Sequence, residues 1–155
     1  MSSSPSDPVV YRPIGVVRSE VAEPAAPETI RGLPARLVLD PSLEPAVAAL
    51  SVGDHLVVVY HLDRAEPWDE RHAADLLTRR MPSRPNPIGV TLVRVVATEG
   101  STITVVGLDA LDGSPILDIK PYKPVFDEPP VEPTEPAGAF ARGGTDEPAD
   151  PHPPK

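Results

Sequence analysis

Cysteine is absent from this 155-residue chain, which excludes a disulfide framework, a thiolate nucleophile and a thiolate metal site. No run of about eighteen apolar residues occurs, and residues 1–8 lack a basic stretch followed by an apolar one. We therefore expect a soluble, cytoplasmic protein with no membrane partner. No Gly-x-Gly-x-x-Gly follows a strand signal and strands do not alternate with helices, which argues against the common Rossmann type of cofactor site. There is no Gly-x-Ser-x-Gly elbow, hence no hydrolase triad of that kind. A positive excess is also missing: the formal net charge is −9, which disfavours a generic nucleic-acid binder.

What the chain has in plenty is proline, 23 residues, nine of them in the last 33. Residues 125–155 combine proline, acid and small side chains without an apolar period, and we expect a disordered tail there. Its Gly143-Gly144 pair reads as linker. Residues 1–8 form a flexible N-terminus, which leaves residues 9–124 as one domain with a modest core. The charge is unevenly spread. Residues 123–155 carry seven acidic against three basic side chains, whereas residues 71–94 hold five arginines and a single acid, Asp75. An anionic partner would meet that central stretch.

Strand signals dominate the domain. Residues 9–19 read as a β segment bent at Pro13 and Gly15, and residues 21–34 as a proline-rich loop in which Gly32 permits close backbone approach. Residues 36–39 have strand composition. Asp40 or Ser42 caps a short helix over residues 43–50, with Leu43, Val47 and Leu50 on its core face. The β-branched run 55–61 is predicted to be a strand buried on both faces. One or two helical turns fall near residues 72–77. Residues 88–99 and 102–108 form a hairpin about Gly100-Ser101, and residues 116–119 return as a last strand after the Asp112-Gly113 turn. The fold class is all-β: a small single-domain β-barrel with one or two short helices.

Several residues could carry chemistry. In Arg84-Pro85-Asn86-Pro87-Ile88-Gly89 the prolines hold Arg84 and Asn86 extended. Their donors, with Arg79 and Arg80 upstream, suit a carboxylate-bearing ligand or belong to an ordinary proline-rich loop. Asp118, Lys120 and Tyr122 alternate along a strand and project to one side. They either position a substrate, with Tyr122 taking a proton, or form a surface ion pair beside a rim tyrosine. Asp109 and Asp112 flank a turn and suit a cationic ligand, though Asp-Gly turns are common and Asp112 taken singly reads as a turn former rather than a ligand. His55 and His61 stand roughly 20 Å apart on one strand, too far to share a metal. A set of His61, Asp63, His72 and Asp75 is conceivable as a metal site, but we assign no metal.

Arg84-Pro85-Asn86-Pro87-Ile88-Gly89 and the later Leu108-Asp109-Ala110-Leu111-Asp112-Gly113-Ser114-Pro115-Ile116-Leu117-Asp118-Ile119-Lys120-Pro121-Tyr122 resemble the two signatures of the TsaA/TrmO-like family. Pro13-Ile14-Gly15-Val16-Val17-Arg18-Ser19 adds to the likeness. The resemblance implies a β-barrel methyltransferase that uses S-adenosylmethionine, typically for N6-methylation of threonylcarbamoyladenosine beside a tRNA anticodon. It also implies a homodimer whose cofactor site approaches the subunit interface. Carried over, the cofactor positions are Arg31, Gly32, His61, Leu62, Arg80, Val90, Leu108, Asp109, Ala110 and Leu111. Arg80 stands four residues before Arg84, the place of the family's motif arginine. Arg84, Asn86, Asp112 and Asp118 would shape the pocket, and Lys120 and Tyr122 would stand near the acceptor as catalytic residues. Longer members carry a further C-terminal domain, where this chain has an acidic tail. A small-molecule acceptor, or a non-catalytic S-adenosylmethionine-binding module, therefore stays open beside a tRNA substrate.

Overall fold

Six strands with one apolar face each can dry those faces only by wrapping them around a common interior, and the chain does so. The computed structural model describes residues 6–131. Its strands are β1 (Gly15–Arg18), β2 (Ala35–Leu39), β3 (His55–His61), β4 (Ile88–Glu99), β5 (Thr102–Val106) and β6 (Pro115–Pro121). They close into a barrel in the order β1-β2-β5-β4-β3-β6, and every neighbouring pair is antiparallel. Val17, Leu37, Leu56, Val58, Val93, Val95, Ile103, Val105 and Ile116 fill the interior. The all-β barrel expectation holds.

The local expectations fare unevenly. The predicted helix over residues 43–50 is a 3-10 turn, Pro41–Leu43, running into α2 (Glu44–Ala48). Asp40 opens the turn by accepting from Ser42 N at 2.9 Å, and Val47 is buried. The turns expected near 72–77 lie at Glu70–Asp75 as 3-10 helix. Residues 9–14 are not strand; only Gly15–Arg18 pairs. The loop 21–34 contains a helix, α1 (Pro27–Arg31), which begins on a proline at its first position and buries Ile30. A last helix, α3 (Pro124–Asp127), occupies the start of the segment read as tail, held by Asp127, which accepts from Lys123 N. Residues 1–5 and 132–155, with the rest of the expected tail, lie outside the described residues.

The expectation for β3 is overturned as well. Strand β3 is not buried on both faces: Leu56, Val58 and Tyr60 point inward, while Val57, Val59 and His61 are half-exposed. A closed barrel has one dry interior, so a continuous β-branched run must still leave its alternate side chains on the outer wall. There they meet Ile88, Val90 and Leu92 of β4, each 43% exposed.

The alternating strand directions give the barrel two ends. The ends of β1, β3 and β5 and the starts of β2, β4 and β6 share one rim, called the mouth below. Helix α2 packs against β4 and β5. It follows the end of β2, and so belongs to the opposite end. The mouth is closed by the segment after β5, whose Leu108 and Ala110 are buried.

Candidate active site

At the mouth the sequence places three polar side chains where apolar ones would be expected. Tyr60 ends the inward row of β3 and Thr91 lies two residues along the inward row of β4 from Gly89. Both are buried, yet both are satisfied by one carboxylate. Tyr60 Oη donates to Asp109 Oδ1 at 2.5 Å, and Thr91 Oγ1 donates to the same oxygen at 2.5 Å. The two hydroxyls lie 3.3 Å apart. Burial, and then the bond to Asp109, push the Tyr60 phenol well above its ordinary range, while Thr91 and the nearby Arg80 guanidinium oppose the shift. Tyr60 is thus a neutral donor, and Asp109 is held through one oxygen only. Its Oδ2 has no hydrogen-bond partner among the described residues.

The glycine in Pro87-Ile88-Gly89 follows from this arrangement. A Cβ on Gly89 would stand 2.4 Å from Tyr60 Cζ and 2.5 Å from Cε2. The ring lies across the opposite strand, since Tyr60 and Gly89 are ladder partners, so no side chain fits there.

Arginines frame the cluster. Arg31, at the end of α1, donates through Nε to Gly107 O at 2.9 Å, and Gly107 N donates back to Arg31 O at 3.1 Å. Gly107 itself has φ +100°, a turn that sends the chain into Leu108, Asp109, Ala110 and Leu111. The Arg31 Nη atoms have no partner among the described residues. Arg80 Nη2 donates to Val90 O at 2.7 Å, tying the 3-10 segment's exit to the start of β4. Arg84 makes three backbone contacts, Nη2 to Leu76 O at 2.7 Å and Nη1 to Arg79 O at 3.1 Å and Met81 O at 3.5 Å. It therefore holds the loop rather than facing a ligand with a free fork. Asn86 is exposed, and its carbonyl accepts from Ile88 N at 2.8 Å.

The mouth thus gathers Arg31, Gly32, His61, Leu62, Arg80, Val90 and residues 108–111. Leu62 joins the loop through its N–H, which donates to Pro87 O at 2.8 Å. Leu108 and Ala110 turn into the core, so only their backbone can face a ligand. Gly32 has φ −75° and ordinary space around its Cα; the fold does not require a glycine there. Asp112 accepts from Ser19 N at 3.0 Å and its carbonyl accepts from Arg64, the contacts of a turn former.

The structure does not bring Lys120 and Tyr122 to this place. Lys120 is the ladder partner of Val57, and Tyr122 N donates to His55 O at 3.1 Å. Both stand at the end of the barrel opposite the mouth. Asp118 and Lys120 form an outward ion pair at 2.7 Å, which raises the lysine's pKa. Tyr122 packs edge-on against His55, ring centres 6.4 Å apart. Their alternation predicted a shared face, but alternation says nothing about which rim that face adjoins. Conversely, the sequence reading passed over Tyr60 and Thr91. The available signal was a tyrosine ending an inward row, directly before two residues already singled out. No group of three or more His, Asp or Glu able to hold a metal occurs among the described residues.

Comparison with known proteins identifies the relatives of this barrel. The profile of the tRNA-methyltransferase O N-terminal domain matches residues 16–128. A probable S-adenosyl-L-methionine-binding protein of Pyrococcus abyssi is 34% identical over 133 residues, 77% of this chain and 71% of that protein. The crystal structure of TrmO from Pseudomonas aeruginosa superposes with a TM-score of 0.65 at 31% identity, over 96% of this chain and 66% of the other. The tRNA (adenine(37)-N6)-methyltransferase of Mus musculus is 44% identical over 54 residues, 35% of this chain but 12% of that enzyme.

These matches make the barrel an S-adenosylmethionine-dependent methyltransferase domain. The chain belongs to the tRNA-methyltransferase O N-terminal domain family. The mouth suits its cofactor. Asp109 Oδ2 is an open acceptor for an ammonium or ribose hydroxyl, and the free Nη pair of Arg31 is a match for a carboxylate.

Proposed function

We propose that this domain methylates N6 of an adenosine in tRNA, specifically the threonylcarbamoyl-modified adenosine beside the anticodon. The observation that carries the reading is Asp109, pinned at Oδ1 by Tyr60 and Thr91 with Oδ2 open, at a mouth whose loops also carry Arg31 and Arg80. When bound, S-adenosylmethionine supplies an electrophilic methyl group on a sulfonium sulfur. Asp109 and Arg31 would hold its charged ends, and Arg80, tied to Val90 O at the start of β4, would hold it from the loop. His61, Leu62, Val90 and the 108–111 backbone line the mouth, and Arg84 and Asn86 shape the loop above. Most of the rate comes from aligning the acceptor nitrogen, and a base removes its N–H proton.

Lys120 and Tyr122 are assigned to the acceptor. Within one protomer they stand at the wrong end, so their role requires a homodimer. The outer wall supports one: Val57, Val59, Ile88, Val90 and Leu92 make an apolar stripe that runs from the mouth along β3 and β4 as far as the outward pair before His55 and Arg94. Two such stripes packed by a two-fold axis across the strands set the far end of each protomer on its partner's mouth. The tRNA reading goes with a cytoplasmic protein, and no described helix is long and apolar enough to cross a membrane.

Calorimetric titration with S-adenosylmethionine, beside an Arg80→Ala variant, tests the cofactor half. Binding near the micromolar range, roughly −8 kcal/mol, that is lost in the variant is expected. Transfer of a labelled methyl group to tRNA carrying threonylcarbamoyladenosine, and not to tRNA lacking that modification, tests the acceptor half. Transfer only to small molecules would replace the tRNA reading with a small-molecule acceptor, and binding without transfer would leave a sensor module.

A further inference from the structure

The loop arginines between residues 71 and 84, whose charge suits an anionic partner, are largely engaged. Arg71 pairs with Asp69 at 2.6 Å, Arg79 with Asp75 at 3.8 Å, and Arg80 and Arg84 are committed to backbone carbonyls. The arginines without a hydrogen bond or ion pair among the described residues include Arg18 and Arg36, on the barrel wall. They are direct ladder partners across β1 and β2, and Thr104 is the partner of Arg36 across β5. A cleft of about 620 Å³ opens over them, lined also by Ser19, Glu20 and Asp112.

Like charges directly opposite each other on neighbouring strands repel. No ion pair or hydrogen bond among the described residues ties up either guanidinium: Asp112 and Glu20 line the same cleft, but Asp112 accepts from Ser19 N through Oδ1 and Glu20 bonds to neither arginine. Two planar forks and a threonine hydroxyl converging on one cleft are the donor set of a phosphate group. Arg18 ends β1 and Arg36 lies near the start of β2. The cleft therefore sits on the mouth's rim, beside the turn that carries Asp109 into Asp112.

We infer that the Arg18–Arg36–Thr104 cleft is a phosphate-binding subsite that grips a backbone phosphodiester of the RNA whose base enters the mouth. This rests on the tRNA reading above. It explains how an acidic chain can hold RNA: one built subsite beside the reaction centre replaces a broad basic surface.

The test is fluorescence-monitored binding of tRNA to the full chain across a range of NaCl, for the wild type and for Arg18→Gln/Arg36→Gln. Loss of one phosphate contact should reduce the slope of log affinity against log salt by roughly 0.7 to 0.9, with S-adenosylmethionine affinity unchanged. Glu20→Gln should tighten tRNA binding. An unchanged slope in the double variant overturns the subsite. Thermal melting checks folding, and Arg36→Gln should melt no lower than the wild type, since it removes a repulsion. NMR of the wild-type arginine Nε–H signals during titration with adenosine monophosphate reads the cleft without any substitution. Should tRNA fail to bind while the nucleotide shifts Arg18 and Arg36, the RNA reading falls and the cleft takes free nucleotides. Should neither ligand move those signals, the subsite itself is refuted.

Discussion

Replacing Gly89 with alanine puts one methyl group into the most crowded place on the mouth. The added Cβ would lie 2.4 Å from Tyr60 Cζ and 2.8 Å from its Oη, about 1 Å inside ordinary carbon contact. Neither side yields cheaply. Gly89 is fixed in the β3–β4 ladder opposite Tyr60, and the tyrosine hydroxyl is fixed on Asp109. Overpacking of this kind costs about 1–3 kcal/mol, and we expect the upper half of that range because backbone and ring are both held. Urea unfolding should show the midpoint falling with an unchanged slope. Tyr60→Leu removes the three atoms nearest the added methyl group, Cζ, Cε2 and Oη. In that background Gly89→Ala should cost less than about 0.5 kcal/mol, a coupling of roughly 2 kcal/mol between the positions. A Gly89→Ala protein as stable as the wild type, or two effects that simply add, would refute the account of why a glycine stands there.

Three more outcomes follow from the same cluster and its surroundings. Because the folded protein raises the Tyr60 pKa, the stability this tyrosine adds is complete below its unfolded value near pH 10 and is lost as pH rises toward the folded value; alkaline unfolding monitored by circular dichroism should be steeper for the wild type than for Tyr60→Phe. Asp109→Asn removes the open charged acceptor, and calorimetry should find S-adenosylmethionine affinity reduced about tenfold to a hundredfold, the loss of one charge-assisted hydrogen bond; unchanged affinity would move the cofactor away from Oδ2. Tyr122→Phe should lower methyl transfer while cofactor affinity stays, and mixing it with Arg80→Ala should restore transfer, because each mixed dimer holds one intact site; no recovery on mixing would confine each site to one protomer.

Much of the barrel was legible because strand alternation is a local property. The rows Leu56, Val58, Tyr60 and Ile103, Val105 are visible in the sequence as every second residue, and turns at Gly100 and Gly113 adopt the positive φ their neighbours require. The helix α1 was missed because proline and acid there read as loop, and its stability comes from burying Ile30 rather than from propensity. The β3 run misled because a β-branched stretch looks the same whether one face or two are covered.

The sequence by itself determined the strand periods, the stiff Pro85-Asn86-Pro87 connector, the two motifs and the lack of a thiol chemistry, since these depend on residue type and near neighbours. Only the tertiary structure decided which end of the barrel each motif residue occupies. It set Tyr60 and Thr91 on Asp109 across 49 and 18 residues of chain, sent Lys120 and Tyr122 to the far rim, and faced Arg18 with Arg36. The physical reason is closure: strand pairing in an antiparallel barrel fixes which rims coincide, and that pairing joins residues whose separation in sequence carries no local signal.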